Sequence, residues 1–145
     1  MHAEIQWRDN VHFSATADSG HEVLIDGPAD AGGLNKGSRP MELMLMGLGG
    51  CTAFDVVNIL RKGRQKVTNC VTHVTAARAE DIPQVFERID IHFVVEGEDL
   101  DPAKVERAID LTAHKYCSAS IMLQRAGVEI GHTFEIVPAA GTHQA

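Results

Sequence analysis

Three cysteines carry the most reactive side chains of this 145-residue sequence, and two of them stand where a helix can influence a thiol. Cys51 follows the run MELMLMGLGG, and Cys117 lies in HKYCSAS, at a predicted junction between two helices. Backbone N–H groups at the start of a helix can lower the pKa of a thiol. The pair suggests a peroxidatic and a resolving cysteine: one thiolate attacks an O–O bond, becomes a sulfenic acid and condenses with the other thiol.

The cysteines also allow a purely structural interpretation. Taken alone, Cys51 is compatible with a small buried residue in a tightly packed helix, which is the common role of a free cysteine. Cys70 lies in a strand-like alternation with Thr72 and Val74, so we interpret it as part of the core or of the strand surface. The three cysteines form no CxxC pair, and the sequence therefore indicates neither a zinc ribbon nor a disulfide scaffold.

Three glycines just before Cys51 need an explanation, because each costs a helix interior about 1 kcal/mol relative to alanine. The missing side chains of Gly47, Gly49 and Gly50 let another element approach closely, including the equivalent helix of a second chain. They also shape a small pocket around the sulfur. Nearby apolar side chains either line that pocket or pack as core: Met44, Met46, Leu48 and Phe54.

Eight histidines are scattered along the chain without HxH or HxxxH spacing, so their pattern predicts no metal site. His114 precedes Cys117 by three residues and could face it on one side of a helix. We therefore treat His114 as a supporting residue of the thiol site.

The N-terminal part of the chain is predicted to form strands followed by one long helix. Apolar and polar residues alternate from Glu4 to Asp26, which predicts two or three short antiparallel strands. A glycine-rich loop follows over 27–39. Pro40 can open a helix that runs from about Met41 to Lys62 and is expected to be buried, because its first four turns are apolar nearly all round.

The C-terminal part combines strands with a pair of helices. The expected elements are strands at 67–77, 85–95 and 128–137, an amphipathic helix reaching Tyr116 and a short helix at 119–126. Asp101 and Pro102 supply the N-cap and the first turn of the amphipathic helix. Ser118 is the expected cap of the short helix, and Gly127 its end.

This order of elements predicts an α+β fold with two small antiparallel sheets around a central, buried helix that carries Cys51. Residues 1–138 are expected to form a single domain, and 139–145 a flexible tail. Two small sheets can hardly cover an apolar helix on every side. A second copy of the chain is therefore expected to close over it in an isologous homodimer.

Composition and charge limit the partners and the location. Thirteen basic and twenty acidic residues leave a formal charge of -7, which argues against a nucleic-acid or anionic-membrane surface. The first ten residues hold no apolar signal core, and polar residues interrupt the longest apolar stretch, 41–60. We therefore expect a cytoplasmic protein without a membrane span.

Two segments together resemble the cysteine motifs of the OsmC/Ohr family of hydroperoxide-reducing proteins: RPMELMLMGLGGCTAFDVV (39–57) and HKYCSASIML (114–123). The resemblance extends over nearly the whole chain and is closest to the YhfA-like branch. It implies an OsmC-like fold and an intertwined homodimer with two active sites at the dimer interface. For characterised members it implies reduction of organic hydroperoxides by a thiol pair equivalent to Cys51 as attacker and Cys117 as resolver. An external dithiol supplies the electrons, and no cofactor is expected.

The sequence departs from the family pattern around the first motif. Active members carry a glutamate close after the proline, and an arginine that pairs with it and stabilises the attacking thiolate, whereas Met41 directly follows Pro40 here. Glu42 comes one residue later, nine residues before Cys51. In a regular helix nine residues turn by about 900° and rise by about 13 Å, which places Glu42 on roughly the opposite side from the cysteine. Arg8 and Arg39 are the competing candidates for the arginine.

A further departure lies after the second motif, where Ser118 stands in place of the proline of many relatives. Two hypotheses follow from the motifs and these departures. The first is a thiol-dependent peroxidase acting on organic hydroperoxides. The second is a non-enzymatic dimer of the same fold that binds a small apolar or thiol-reactive ligand.

Overall fold

The chain folds into two compact units, seen in a computed structural model that describes residues 1–141. The first unit comprises Met1–Leu45, and the second continues from Met46. The single domain over 1–138 stays a prediction. Of the predicted flexible tail, 139–145, positions 142–145 lie outside the described residues.

A three-stranded antiparallel sheet forms most of the first unit. Its strands, in the spatial order β1, β2, β3, are β1 (Ala3–Asp9), β2 (His12–Ala17) and β3 (Glu22–Ile25). The turn between β2 and β3 needs Gly20, whose φ is 82° and whose N–H donates to the Ala17 carbonyl at 2.8 Å. The period-two alternation therefore predicted these strands correctly.

The loop predicted at 27–39 is organised by Asp26, which is only 1% exposed. Its carboxylate accepts hydrogen bonds from the backbone N–H groups of Gly27, Leu34 and Lys36, at 2.8, 3.0 and 2.9 Å. These bonds, the one from Lys36 first, lower the pKa of the Asp26 carboxyl from its ordinary value. The buried carboxylate thus fixes the path of a glycine-rich segment.

Helix α1 (Pro40–Lys62) starts where the proline predicts. Glu42 occupies the third helical position, and its carboxylate accepts a hydrogen bond from the Arg39 backbone N–H at 2.9 Å. This is the glutamate half of a capping box, which satisfies a donor that the first turn would leave without a partner. The sequence around Pro40 therefore serves to begin the helix.

One stripe of α1 is buried within the chain, whereas cover for the other faces was predicted to come from a second copy. Leu48, Thr52, Val56 and Leu60, spaced by four residues, are each at most 1% exposed. Phe54, on another face, is 70% exposed. The reason is that one chain supplies cover along one face only, so burial within the chain does not explain why α1 is apolar nearly all round.

By length and composition α1 also satisfies a criterion for a membrane span, with a mean hydropathy of 1.7 over its best window. The core helix of a soluble protein passes the same criterion. Because Leu48 and its stripe are buried against protein, the criterion is weak evidence for a span.

The second unit contains a mixed three-stranded sheet with β5 in the centre. Its strands are β4 (Lys66–Arg78), β5 (Phe86–Glu98) and β6 (Glu129–Pro138). β4 and β5 are antiparallel, but β5 and β6 are parallel, so the prediction that both sheets are antiparallel is wrong at this pair. The chain leaves the far end of β5, passes through two helices and returns to the end of the sheet where β5 begins, which is the crossover that a parallel pair requires.

The core of the second unit lies on one face of β5 and against the first of those helices. The residues of β5 on that face are Phe86, Ile89, Ile91, Phe93 and Val95, none more than 6% exposed. Helix α2 (Pro102–Leu111) adds Val105, Ala108 and Ile109. Asp101 caps α2, its carboxylate accepting from the Ala103 N–H at 2.9 Å, as the sequence predicts.

The predicted amphipathic helix changes character before it reaches the second motif. α2 ends at Leu111, a π-helical turn spans Thr112–Tyr116, and helix α3 covers Ser118–Arg125. α3 ends as predicted, with Gly127 at a φ of 95°. With three helices and two small sheets, the α+β class is confirmed.

Candidate functional site

Two thiols and one carboxylate meet in the second unit. The Sγ atoms of Cys51 and Cys117 and one carboxylate oxygen of Asp55 all lie within 4.8 Å of one another. The structure therefore brings together the two cysteines that the sequence pairs, and adds an acidic residue to them.

Helix α1 presents Cys51 and Asp55 on one face, because residues four apart in an α-helix lie one above the other. Both side chains are half-buried. They flank the buried stripe at Thr52, whose hydroxyl is satisfied by donating to the Gly49 carbonyl at 3.1 Å. Packing of the buried face at Thr52 thus fixes the position of the neighbouring face, which presents Cys51 and Asp55.

The π-helical turn places Cys117 at the beginning of α3. The Cys117 N–H donates to the Thr112 carbonyl at 2.9 Å, five residues back. The cysteine then caps α3 itself: its sulfur accepts from the Ser120 N–H at 3.4 Å, where the sequence predicts Ser118 as the cap. The extra residue in the turn aims the sulfur toward α1.

Burial raises the pKa of the Cys117 thiol to about 12. The Ser120 N–H opposes this shift, whereas the neighbouring Cys51 sulfur and Asp55 carboxylate add to it. The predicted helix N–H contact therefore exists, but for this fully buried thiol the loss of water outweighs it. Cys117 is held as a protonated thiol at neutral pH.

Asp55 is the site residue that sequence reasoning missed. Its Oδ2 atom is buried and has no hydrogen-bond partner among the described residues. A carboxylate oxygen in that state is costly, so the position has a role that the fold alone does not explain. The available signal was its spacing, four residues after Cys51 on the same helix.

The glycines before Cys51 divide into two kinds. A Cβ at Gly49 would lie 3.0 Å from the Val74 Cγ2 atom of β4, so the predicted close approach is confirmed there. At Gly47 and Gly50 a Cβ would meet nothing within 4 Å among residues 1–141. These two positions form an open, side-chain-free surface beside the site, with Gly47 about one turn before Cys51 and Gly50 directly before it.

The two candidate arginines, Arg8 and Arg39, and the candidate Glu42 make local contacts in the first unit. Arg8 donates through Nε to the Ser14 hydroxyl at 2.8 Å. The Arg39 guanidinium donates to the Gly37 carbonyl at 3.0 Å, and Glu42 caps α1. Their roles toward Cys51 stay predictions.

His114 lies in the π-helical turn and pairs with the preceding turn of α2. Its Nδ1–H donates to the Asp110 carbonyl at 3.0 Å, and the same nitrogen is 3.2 Å from the Asp110 carboxylate. The exposed ring is thus engaged away from the sulfur, and a role for His114 at Cys117 stays a prediction.

Cys70 lies half-buried on β4, in agreement with its interpretation as a strand residue. Burial raises the pKa of its thiol, and the sulfur lies 4.0 Å from the Thr72 hydroxyl. It is not part of the Cys51, Asp55 and Cys117 cluster.

The four predicted pocket residues differ in burial. Leu48 is core, whereas Met44, Met46 and Phe54 are exposed. A cleft of about 310 Å³ opens beside Asp55 instead, lined by Asp55, Asn58, Ile59, Lys62, Leu111 and Tyr116. The cleft reaches Asp55, and four of its six lining residues carry a polar group, with Ile59 and Leu111 as the aliphatic ones.

Comparison with known proteins supports the resemblance to the OsmC/Ohr family over most of the chain. The sequence model of the OsmC-like protein family matches residues 33–133. Protein YhfA of Escherichia coli K12 is 45% identical over 139 residues, which cover 96% of this chain and 100% of YhfA.

Among solved structures, a hypothetical protein from Aquifex aeolicus VF5 has a TM-score of 0.83 at 28% identity, covering 94% of this chain and 96% of that one. The organic hydroperoxide resistance protein OhrB of Bacillus subtilis has a TM-score of 0.62 at 21% identity, covering 93% and 98%, which is a likeness of fold. With both cysteine motifs in place and the family model matched across them, the chain belongs to the OsmC/Ohr family.

Proposed function

We propose that this protein is a thiol-dependent peroxidase that reduces organic hydroperoxides, with Cys51 as the peroxidatic and Cys117 as the resolving cysteine. One observation carries the proposal: the two thiols, on separate helices, lie within 4.8 Å of each other. Membership of the OsmC/Ohr family, and the fold shared with organic hydroperoxide resistance proteins, favour a redox or peroxide-related role.

The first step falls to Cys51, because it is the more accessible sulfur of the pair. Its thiolate attacks the outer oxygen of the hydroperoxide, so that an S–O bond forms and the O–O bond breaks. The alkoxide takes up a proton and leaves as an alcohol. Cys51 is then a sulfenic acid.

The second step uses Cys117. Its sulfur attacks the Cys51 sulfur; the S–S bond forms, the S–O bond breaks, and the hydroxyl group leaves as water with the proton of the Cys117 thiol. The sulfurs must approach from at most 4.8 Å to about 2.05 Å, which requires side-chain rotation. An external dithiol then reduces the disulfide by exchange and becomes oxidised itself, which closes the cycle.

Attack at neutral pH requires a stabilised thiolate at Cys51, since a free thiol with a pKa of about 8.5 is mostly protonated. Arg8 and Arg39 remain the proposed sources of positive charge, with Glu42 as the partner that orients the arginine. His114 is the remaining candidate near the resolving thiol. The arginine and glutamate assignments extend the family pattern to this chain, whereas His114 is proposed from its spacing to Cys117.

A homodimer is part of the proposal. Family members are typically dimeric, and α1 leaves apolar side chains such as Met46 and Phe54 exposed beside the open surface at Gly47 and Gly50. A second chain that packs there would bury them and enclose the site. A cytoplasmic location is also part of the proposal, because a dithiol-dependent cycle needs a compartment that keeps thiols reduced.

The alternative function, a non-enzymatic dimer that binds a small apolar or thiol-reactive ligand, is favoured by one observation. Arg39 and Glu42 are engaged at the start of α1, where they stabilise the helix. If they have no other role, the cysteines lack the support that catalysis needs.

The proposal is tested by following consumption of cumene hydroperoxide and of a dithiol together. We expect turnover by the wild-type protein, turnover in Cys70→Ser, and loss of turnover to the background rate in Cys51→Ser. Hydrogen peroxide in parallel reports the preference for an organic substrate. Equal rates in Cys51→Ser and wild type would overturn the proposal, and ligand binding without consumption would favour the alternative.

A further inference from the structure

Three potential metal ligands converge in the second unit: Cys51 and Asp55 lie one turn apart on α1, and Cys117 comes from the start of α3. The two sulfurs and the Asp55 carboxylate lie within 4.8 Å of one another, with Cys117 buried and the other two side chains half-buried. Two sulfur atoms bound to one tetrahedral zinc ion would lie about 3.8 Å apart, from a zinc–sulfur distance of about 2.3 Å. Side-chain rotations that move the atoms by about 1 Å would therefore bring the set to ligating distance.

Asp55 is the second, independent indication. One oxygen of its carboxylate, the buried Oδ2, has no hydrogen-bond partner among the described residues, so the side chain that joins the two sulfurs has an acceptor available. A divalent cation bound to this carboxylate would offset the repulsion between three groups that are negative when ionised. Three protein ligands would leave the fourth position of a tetrahedral ion to water, as in three-ligand zinc sites.

We infer that Cys51, Asp55 and Cys117 form a binding site for a soft or borderline divalent cation, of which Zn²⁺ is the best match. Two thiolates with one carboxylate disfavour Mg²⁺ and Ca²⁺, which take oxygen ligands. Because the thiols bind as thiolates, the ion displaces their protons on binding.

The site has a regulatory consequence, which rests on the proposed peroxidase function. An ion held by both sulfurs occupies the lone pairs that attack the peroxide and form the disulfide. Zn²⁺ at one ion per chain is therefore expected to stop hydroperoxide consumption reversibly, and a chelator to restore it. Binding itself does not require turnover, so it is measured on reduced protein without peroxide.

The direct experiment uses Co²⁺ as a spectroscopic probe of the reduced protein under anaerobic conditions. We expect a thiolate-to-cobalt charge-transfer band in the near ultraviolet with intense tetrahedral visible bands, saturating at one ion per chain and displaced by Zn²⁺. Cys70→Ser, the matched control, keeps the spectrum. Cys51→Ser and Cys117→Ser each weaken the charge-transfer band, and Asp55→Asn lowers affinity by about tenfold or more.

A measurement on the wild-type chain covers the possibility that a variant fails to fold. Zn²⁺ is expected to protect Cys51 and Cys117 from alkylation, mapped by mass spectrometry, while Cys70 reacts at its unprotected rate. Mg²⁺ protects none of them. The inference is overturned if Co²⁺ gives only a weak octahedral spectrum, or if Zn²⁺ leaves the alkylation of Cys51 and Cys117 unchanged. Either result leaves the peroxidase proposal standing, because neither involves a peroxide.

Discussion

The sulfurs of Cys51 and Cys117 lie within 4.8 Å of each other, although one belongs to the middle of α1 and the other caps α3. The first is half-buried and the second is fully buried. This asymmetry suits a division of labour, in which the accessible sulfur meets the peroxide and the protected one reacts only with its neighbour.

Cys117→Ser is predicted to stop the reaction after its first step. Serine keeps the cap of α3, because its hydroxyl can accept from the Ser120 N–H, but it cannot form a disulfide. Hydroperoxide should then convert Cys51 to a sulfenic acid that dimedone traps as an adduct visible by mass spectrometry. If Cys117→Ser consumes hydroperoxide at the wild-type rate, Cys117 is not the resolving cysteine.

Ser118→Pro, which restores the residue of many relatives, is predicted to stabilise the fold without loss of the site. Ser118 is the first residue of α3, where proline suits the helix. Cys117 before it is already extended, with φ -74° and ψ 104°, as a residue preceding proline prefers. Denaturant unfolding should show a gain of roughly 0.4–1 kcal/mol.

The matched control for that substitution is Ser120→Pro, which removes the N–H that donates to the Cys117 sulfur. Disulfide formation should slow in this control and keep its rate in Ser118→Pro. A lower free energy of unfolding in Ser118→Pro would contradict the prediction and would indicate that Ser118 makes a stabilising contact that proline cannot make.

Gly50→Ala is predicted to weaken the homodimer while leaving the single chain intact. A Cβ at Gly50 meets nothing within 4 Å among residues 1–141, so the methyl group has room in one chain. Against a closely packed partner helix the same methyl group would overpack the interface by about 1–3 kcal/mol. Sedimentation equilibrium should show that the variant dimer dissociates at a higher protein concentration than the wild-type dimer.

Gly49→Ala serves as the comparison, because its Cβ would press on Val74 within the same chain at 3.0 Å. This contact opposes the gain of about 1 kcal/mol that alanine brings over glycine in a helix, so Gly49→Ala should gain less stability than Gly50→Ala and leave the sedimentation behaviour of the folded protein unchanged. If Gly50→Ala dimerises as tightly as wild type, the open surface at Gly47 and Gly50 is not the interface.

His132 is predicted to make the fold sensitive to mild acid. Burial, and then the charge of His114, lower the pKa of its imidazole, whose ring stacks on Phe93 with a centroid distance of 6.4 Å. The unfolded chain therefore binds a proton more readily than the folded one below about pH 6.5, and stability falls as the pH falls. His132→Gln should show a shallower loss of unfolding free energy than wild type over that range.

Other acidic and histidine groups contribute to the total acid dependence, so the difference between the two proteins is the informative quantity. His73→Gln, which changes an exposed histidine on β4, provides the control and should follow the wild-type curve. Parallel curves for wild type and His132→Gln would contradict the assignment to His132.

Much of the fold was predictable because local chemistry determined it. Alternation identified β5, whose inward face carries Ile89 and Phe93, and the Asp101 cap with Pro102 marked the start of α2. The direction of β6 was not predictable, since alternation carries no information on whether a strand runs parallel to its neighbour.

The site was predictable in its cysteines and not in its geometry. The motifs indicated Cys51 and Cys117, but the π-helical turn that aims the second sulfur adds one residue to an otherwise regular pattern. Asp55 was missed because an acidic residue on a helix is most often solvated, and only the folded chain shows its carboxylate beside two sulfurs, with one oxygen buried.

The central claim is tested most directly by mapping the cysteines of reduced protein after one equivalent of cumene hydroperoxide, using mass spectrometry without added dithiol. The peroxidase predicts one disulfide, Cys51–Cys117, with Cys70 still free, and its complete reduction when a dithiol is added. Cysteines that stay reduced under excess hydroperoxide, or a disulfide that involves Cys70 in place of Cys117, would contradict it.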